Sequence, residues 1–178
     1  MTSSLVGSEM CIRDRNIILI GMPGAGKSSV GVILAKVLGY EFIDTDLVIQ
    51  HREKRLLREI IADEGNEGFL AIENEVNATL EADKSVIAPG GSAIYGKEAM
   101  EHFKEIGTIV YLKLSYEDLA KRLGNLKGRG VVLKEGQTLK DLYDERSKLY
   151  EQYAEITVDV SGRDIQGTIL ALREQIGM

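Results

Sequence analysis

The chain has 178 residues, 44% hydrophobic and 28% charged, which fits one soluble globular domain and excludes a disordered chain. Its formal net charge of −6 and pI near 5.1 argue against general nucleic-acid binding, which rests on lysine and arginine neutralising phosphates. No apolar run approaches the roughly 20 residues of a membrane span, and the single cysteine, Cys11, excludes an intramolecular disulfide, so a cytoplasmic protein without membrane or nucleic-acid partners is expected.

The opening stretch MTSSLVGSEMCIRD lacks a basic leader followed by a long apolar segment. It resembles translated sequencing-adapter sequence, so residues 1–14 are expected to be a non-native or disordered tail, with one domain over 15–178. From Arg15 onward, short β-rich runs alternate with longer helical patterns. NIILI (16–20), EFI (41–43), SVIA (85–88), TIVYLKL (108–114) and ITVDV (156–160) read as strands. Several are apolar on successive residues, which implies burial on both faces and hence a parallel sheet covered by helices. The patterns predict helices over 27–38, 46–53, 56–63, 67–82, 97–106, 116–123, 138–153 and 165–176. In the first, Val30, Ile33, Leu34, Val37 and Leu38 form the expected buried stripe. SYED at Ser115–Asp118 resembles a capping box with aspartate in place of glutamate. Right-handed crossovers would close such a βαβ series into a three-layer α/β/α sandwich. Two regions exceed that minimum. Extra helices over about 46–82 suit a substrate lobe, and the glycine-rich, basic stretch over about 124–136 suits a mobile lid.

The segment GMPGAGKSSVG, directly after the first strand, matches G-x-x-x-x-G-K-[ST] through Gly21, Gly26, Lys27 and Ser28. A strand before it and an amphipathic helix after it supply the context of a Walker A loop. Gly21, Pro23, Gly24, Ala25, Gly26, Lys27, Ser28 and Ser29 form the expected nucleotide cradle. Its backbone N–H groups and the positive end of the helix dipole converge on phosphate oxygens. Lys27 adds a full charge at the β and γ phosphates, and the Ser28 hydroxyl is a hard oxygen ligand of the kind Mg²⁺ accepts.

Taken together, GMPGAGKSSVG, FIDTD, GFLAIE, APGGSAI, KGRGVVL and ERSKLYEQYA resemble the shikimate kinases, in the family's order and spacing from about Asn16 to the C-terminus. The resemblance implies a P-loop kinase of the nucleoside-monophosphate-kinase-like fold, with a five-stranded parallel sheet of order 2-3-1-4-5. It also implies ATP with Mg²⁺, transfer of the γ-phosphoryl group to a hydroxyl of shikimate or a similar small acceptor, and a monomer. By the same resemblance Asp44 helps hold Mg²⁺ through water. Asp46 accepts a hydrogen bond from the acceptor hydroxyl and takes up its proton; alone, it would also suit the N-cap of the following helix. Gly90, Gly91 and Ser92 correspond to a triple-glycine turn beside the acceptor, with Ser92 in place of the third glycine. Arg129 matches a lid arginine that closes over the transferring phosphate, although the proline after it is Gly130 here. Arg146 matches an arginine that grips the acceptor's carboxylate.

GFLAIE carries the main departure. The family has a second carboxylate-binding arginine where this chain has Leu70. Losing one of two charge-assisted contacts costs about 1.5 to 3 kcal/mol, or about one to two powers of ten in affinity. Glu73, which steadies that arginine in the family, needs another partner. Arg58 is either a pocket residue or part of a solvated helix face, and His51 and His102 read as surface residues. A kinase for another small hydroxy acid or alcohol and a nucleotide-binding regulatory protein remain as alternatives. Phosphorylation of nucleoside monophosphates fits less well, because the sequence offers no separate arginine-rich base pocket.

Overall fold

In the computed structural model, residues 15–124 and 133–178 are described. The expected tail and most of the expected lid, Arg129 included, lie outside them. Five strands, β1 (Asn16–Ile20), β2 (Glu41–Asp44), β3 (Ser85–Ala88), β4 (Gly107–Lys113) and β5 (Ile156–Asp159), pair in parallel in the order β2-β3-β1-β4-β5. The sheet is flanked by α1 (Lys27–Leu38), α2 (Thr45–Glu53), α3 (Leu57–Ala78), α4 (Lys97–Ile106), α5 (Tyr116–Arg122), α6 (Leu139–Tyr153) and α7 (Ile165–Ile176). This is the expected sheet and layering.

Burial along the strands follows their place in the sheet. β1 and β3 are buried at every residue and β4 at all but Lys113, whereas the edge strands β2 and β5 are only partly covered. Asn16 is the polar exception inside. Its side chain donates to the carbonyls of Ala82 (2.9 Å) and Ile106 (3.0 Å) and accepts from the Ser85 N–H (2.9 Å), so it pins the starts of β1, β3 and β4 in register. With the sheet fixed at that end, the loops after β1, β2 and β3 gather at its carboxyl edge, where open α/β sheets bind ligands.

Helix α1 is rotated from its expected orientation. Val30 and Leu34 are buried, but Ile33 is 38% and Val37 48% exposed, and Gly31 and Ala35 take their places inside. The cause is a close approach: a Cβ on Gly31 would stand 2.6 Å from Phe42 Cε1, so this glycine lets the helix lie directly on β2. The helix predicted over 56–63 and that over 67–82 are joined in α3, with a break at Gly65 (φ 73°, ψ 179°) and an end at Ala78 rather than 82. A small satellite core of Ile49, Ile60, Phe69 and Val76 holds α2 and α3 together, and Leu70 packs against it.

Two local expectations need correction. Only half of the SYED box forms. Ser115 Oγ accepts from the Asp118 N–H (3.2 Å), while Asp118 Oδ2 accepts from the Gly162 N–H (3.2 Å) and the Ser115 N–H donates to Ser161 Oγ (2.9 Å). The loop after β5 competes for both partners. His102 is half-buried, with Nε2 2.6 Å from the Leu80 carbonyl, and so ties α4 to the loop before β3 rather than facing solvent alone. His51 is exposed as expected.

Candidate functional site

The loop from Gly21 to Gly26 joins β1 to α1. Gly26 takes the N-cap position of α1 in a left-handed conformation (φ 92°, ψ 17°), which turns the first amides of the helix toward the loop's hollow. Gly24 is also left-handed (φ 87°), and a Cβ there would stand 2.9 Å from Leu123 Cδ2. α5 therefore packs directly on the loop, and Arg122 Nη1 donates to the Gly24 carbonyl at 3.0 Å. Motif spacing gives no sign of this tie, because the two residues lie far apart in the chain. Gly21 and Ala25 are buried beneath the loop and shape it. Lys27, 8% exposed, folds its Nζ back onto the carbonyls of Gly21 (2.8 Å) and Met22 (2.9 Å). Burial lowers its ammonium from 10.5 to about 8, and the Asp46 carboxylate resists that fall. At neutral pH the charge is largely retained.

A cavity of about 700 Å³ opens beside this loop. Pro23, Gly24, Gly26, Lys27, Ser28 and Ser29 line it from the phosphate-loop side. Asp44 and Asp46 line it from the end of β2, Gly90, Gly91 and Ser92 from the turn after β3, and Arg146 from α6. Asp44, not Asp46, is the N-cap of α2: its Oδ1 accepts from the Asp46 N–H at 3.0 Å. Asp46 is left without capping duty. Burial pushes its carboxyl up from 3.8 to about 6, the neighbouring Asp44 adds to the rise, and the Lys27 charge opposes it.

One departure noted in the sequence, Ser92, meets in space the glutamate that needed a partner. Ser92 Oγ, present where the turn would otherwise have a third glycine, donates to Glu73 Oε1 at 2.7 Å. Glu73 is 1% exposed. Burial raises its carboxyl from 4.5 to about 7, against the pull of the Ser92 hydrogen bond. Leu70 does not line the cavity and lies on the satellite core instead. The serine is thus the partner that Glu73 required.

Arg146 is 2% exposed and lies over the Tyr95 ring, with Cζ 5.5 Å from its centroid. A Cβ on Gly91 would be 3.0 Å from Arg146 Nη1, so the turn leaves space for the guanidinium. Tyr150 Oη donates to the Gly91 carbonyl at 2.6 Å and fixes the turn from α6. Arg58, on the first turn of α3, also lines the cavity, is exposed, and has no hydrogen-bond or ion-pair partner among the described residues. Its neighbour Arg55 is held by Glu53, Asp63 and Glu64 instead.

These residues fit a magnesium nucleotide. The loop offers amides and a buried lysine to phosphates, and Ser28 and Asp44 offer hard oxygens on one side of the cavity. Among the described residues no group of three or more His, Cys, Asp or Glu could hold a metal. A cation here would therefore share its shell with phosphate oxygens and water.

Among the described residues no helix is long and apolar enough to cross a membrane. The shikimate kinase family model matches residues 23–176. Shikimate kinase 2 of Yersinia enterocolitica is 33% identical over 156 residues, covering 83% of this chain and 87% of that protein. Shikimate kinase 2 of Yersinia pseudotuberculosis is 33% identical over 154 residues, covering 82% and 86%. Among solved structures, shikimate kinase from Acinetobacter baumannii in complex with shikimate is 32% identical, covers 94% of each chain and superposes with a TM-score of 0.79. Shikimate kinase from Aquifex aeolicus is 28% identical, covers 91% of this chain and 96% of its own, and gives a TM-score of 0.76.

Proposed function

The chain belongs to the shikimate kinase family, and we propose that it transfers the γ-phosphoryl group of ATP to a hydroxyl of shikimate. The family's chemistry is phosphotransfer to an alcohol, and it uses ATP, generally with Mg²⁺. One observation carries the reading: a phosphate loop, an uncapped aspartate and a buried arginine line a single cavity.

Lys27 and the loop amides bind the phosphate tail and neutralise its charge where it builds up in transfer. Ser28, and Asp44 through water, would hold Mg²⁺, which when bound would supply positive charge against the phosphates. Asp46 accepts the hydrogen bond of the acceptor hydroxyl, aims its oxygen, and takes the proton as that oxygen bonds to phosphorus and the bond to ADP breaks. Arg146, already desolvated, receives the acceptor's carboxylate. Arg58 supplies the second cation, because it lines the cavity without a partner where Leu70 cannot contribute charge. The protein acts as a monomer on a small-molecule acceptor in the cytoplasm.

A kinase for another small hydroxy acid is the second reading. It is favoured by the neutral Leu70 and the new Ser92–Glu73 pair. A coupled ADP-release assay over a panel of hydroxy acids, shikimate included, separates the two. The highest kcat/KM on shikimate is expected. Another acid better by orders of magnitude would replace it as the substrate, and no ADP release with any acceptor would overturn the kinase reading.

A further inference from the structure

Glu73 lines the cavity and carries a buried carboxylate oxygen that no other group accounts for. Its Oε1 is taken by Ser92, but Oε2 is buried without any hydrogen-bond partner among the described residues, and the side chain lines the cavity. The place of that oxygen is marked by Gly90. A Cβ on this glycine would stand 2.9 Å from Glu73 Oε2 and 3.0 Å from Asp46 Oδ1, so both carboxylates flank the same turn. A buried acceptor left unpaired is costly, and in native proteins such groups are a few exceptions with a cause. Repacking does not explain this one, because Ser92 already anchors the side chain through the other oxygen.

We propose that Glu73 determines acceptor specificity: its Oε2 accepts a hydrogen bond from a second hydroxyl of the acceptor, close to the hydroxyl held by Asp46. The proposal rests on the kinase reading above and narrows it to polyhydroxy acids. Above about pH 7, where the carboxyl is ionised, it only accepts, so its partner there must be a donor. A hydroxyl fits better than an ammonium, because Lys27 and Arg146 line the same cavity and repel a cation. Geometry also separates the tasks. Asp46 lies beside the phosphate loop, with Lys27 acting on its carboxyl, whereas Glu73 is reached from α3 and held by the turn after β3.

The test compares kcat/KM for shikimate with that for two deoxy analogues, each lacking one of the hydroxyls that is not phosphorylated. It is run in wild type, Glu73→Ala and Glu73→Gln. For one analogue the wild type should discriminate by about 100-fold or more, because a site built around a hydroxyl rejects the compound lacking it. In E73A that ratio should fall below about fivefold and in E73Q it should be intermediate, with the KM for ATP unchanged. A purely structural role would lower kcat/KM for all acceptors together and leave the ratio intact, which overturns the proposal. If E73A does not fold, E73Q decides alone: a ratio equal to that of wild type overturns the proposal. A wild type that turns over shikimate with no preference over either analogue sinks this proposal and spares the kinase reading. A wild type active on no acceptor of the hydroxy-acid panel overturns both.

Discussion

Replacing Glu73 by glutamine should stabilise the ligand-free protein at alkaline pH and leave it almost unchanged at acid pH. Burial raises the Glu73 carboxyl from 4.5 in the unfolded chain to about 7 in the folded one. Below the lower value both states hold the proton, and the side chain costs nothing extra. As pH rises between the two values the unfolded chain releases the proton first, so folding stability falls until the folded form also ionises near the upper value. A gap of one pH unit between the two values corresponds to about 1.36 kcal/mol, so wild type should lose about 2 to 3 kcal/mol between about pH 5 and about pH 8 on account of this residue. Glutamine keeps an acceptor for the Ser92 hydroxyl and does not titrate. In a chain of this size about 1 kcal/mol moves Tm by about 2 to 4 °C, so the variant's Tm relative to wild type should rise by about 5 to 10 °C across that window. Circular-dichroism melts or calorimetry at a series of pH values, without nucleotide or acceptor, measure the difference directly and cancel groups common to both proteins. A difference that is flat with pH, or larger at pH 5 than at pH 8, would refute the assignment of a buried, upshifted carboxyl.

Lys27→Ala should lower kcat/KM by at least about a thousandfold with an unchanged far-ultraviolet spectrum, since the loop loses its only full charge against the phosphates. Near-normal ADP release in this variant would remove Lys27 from the chemistry. Asp46→Asn should reduce kcat about 100-fold or more, in the range of general-base loss, while calorimetry still finds wild-type nucleotide affinity. For Arg58→Ala the acceptor KM should rise about tenfold or more with kcat and the ATP KM held; an unaltered acceptor KM would return Arg58 to the solvated helix face. Gly31→Ala should cost about 1 to 3 kcal/mol by forcing a methyl against Phe42, read as a fall in Tm, and a Tm equal to wild type would contradict the close approach of α1 to β2.

The parts of this molecule that were legible in the sequence are those in which neighbours along the chain decide the outcome. A buried strand, a glycine loop and a helix follow one another within 23 residues from Asn16 to Leu38, so the phosphate loop and the sheet it leaves could be read directly. The rotation of α1 could not. Its pattern offers two adjoining apolar faces, and the choice between them depends on contact between Gly31 and a phenylalanine on another strand. Likewise, the sequence offers Asp46 of FIDTD as the N-cap of α2, and only backbone geometry assigns that duty to Asp44 and frees Asp46.

The acceptor side shows the same limit at longer range. Leu70 and Ser92 read as two separate departures, one removing a charge and the other adding a hydroxyl, because nothing local links positions on α3 to a turn after β3. In the folded chain Ser92 acts on Glu73, while Leu70 lies on the satellite core. An arginine at position 70 would satisfy the glutamate as an ion pair; with leucine there, a buried carboxylate must find a smaller, neutral donor, and a hydroxyl at position 92 is close enough to supply one. Ser92 can satisfy only one oxygen, and that restriction makes the exchange more than a repair. An arginine offers enough donors to pair with both oxygens, whereas the serine leaves Oε2 without a partner. Ser92→Gly therefore should do more than lower Tm by removing a buried hydrogen bond worth about 1 kcal/mol or more. It should also free the Glu73 side chain to turn, and so weaken discrimination between shikimate and its deoxy analogue by about tenfold, in the same direction as E73Q. A drop in Tm with discrimination intact would separate the stability of this pair from its use in recognition.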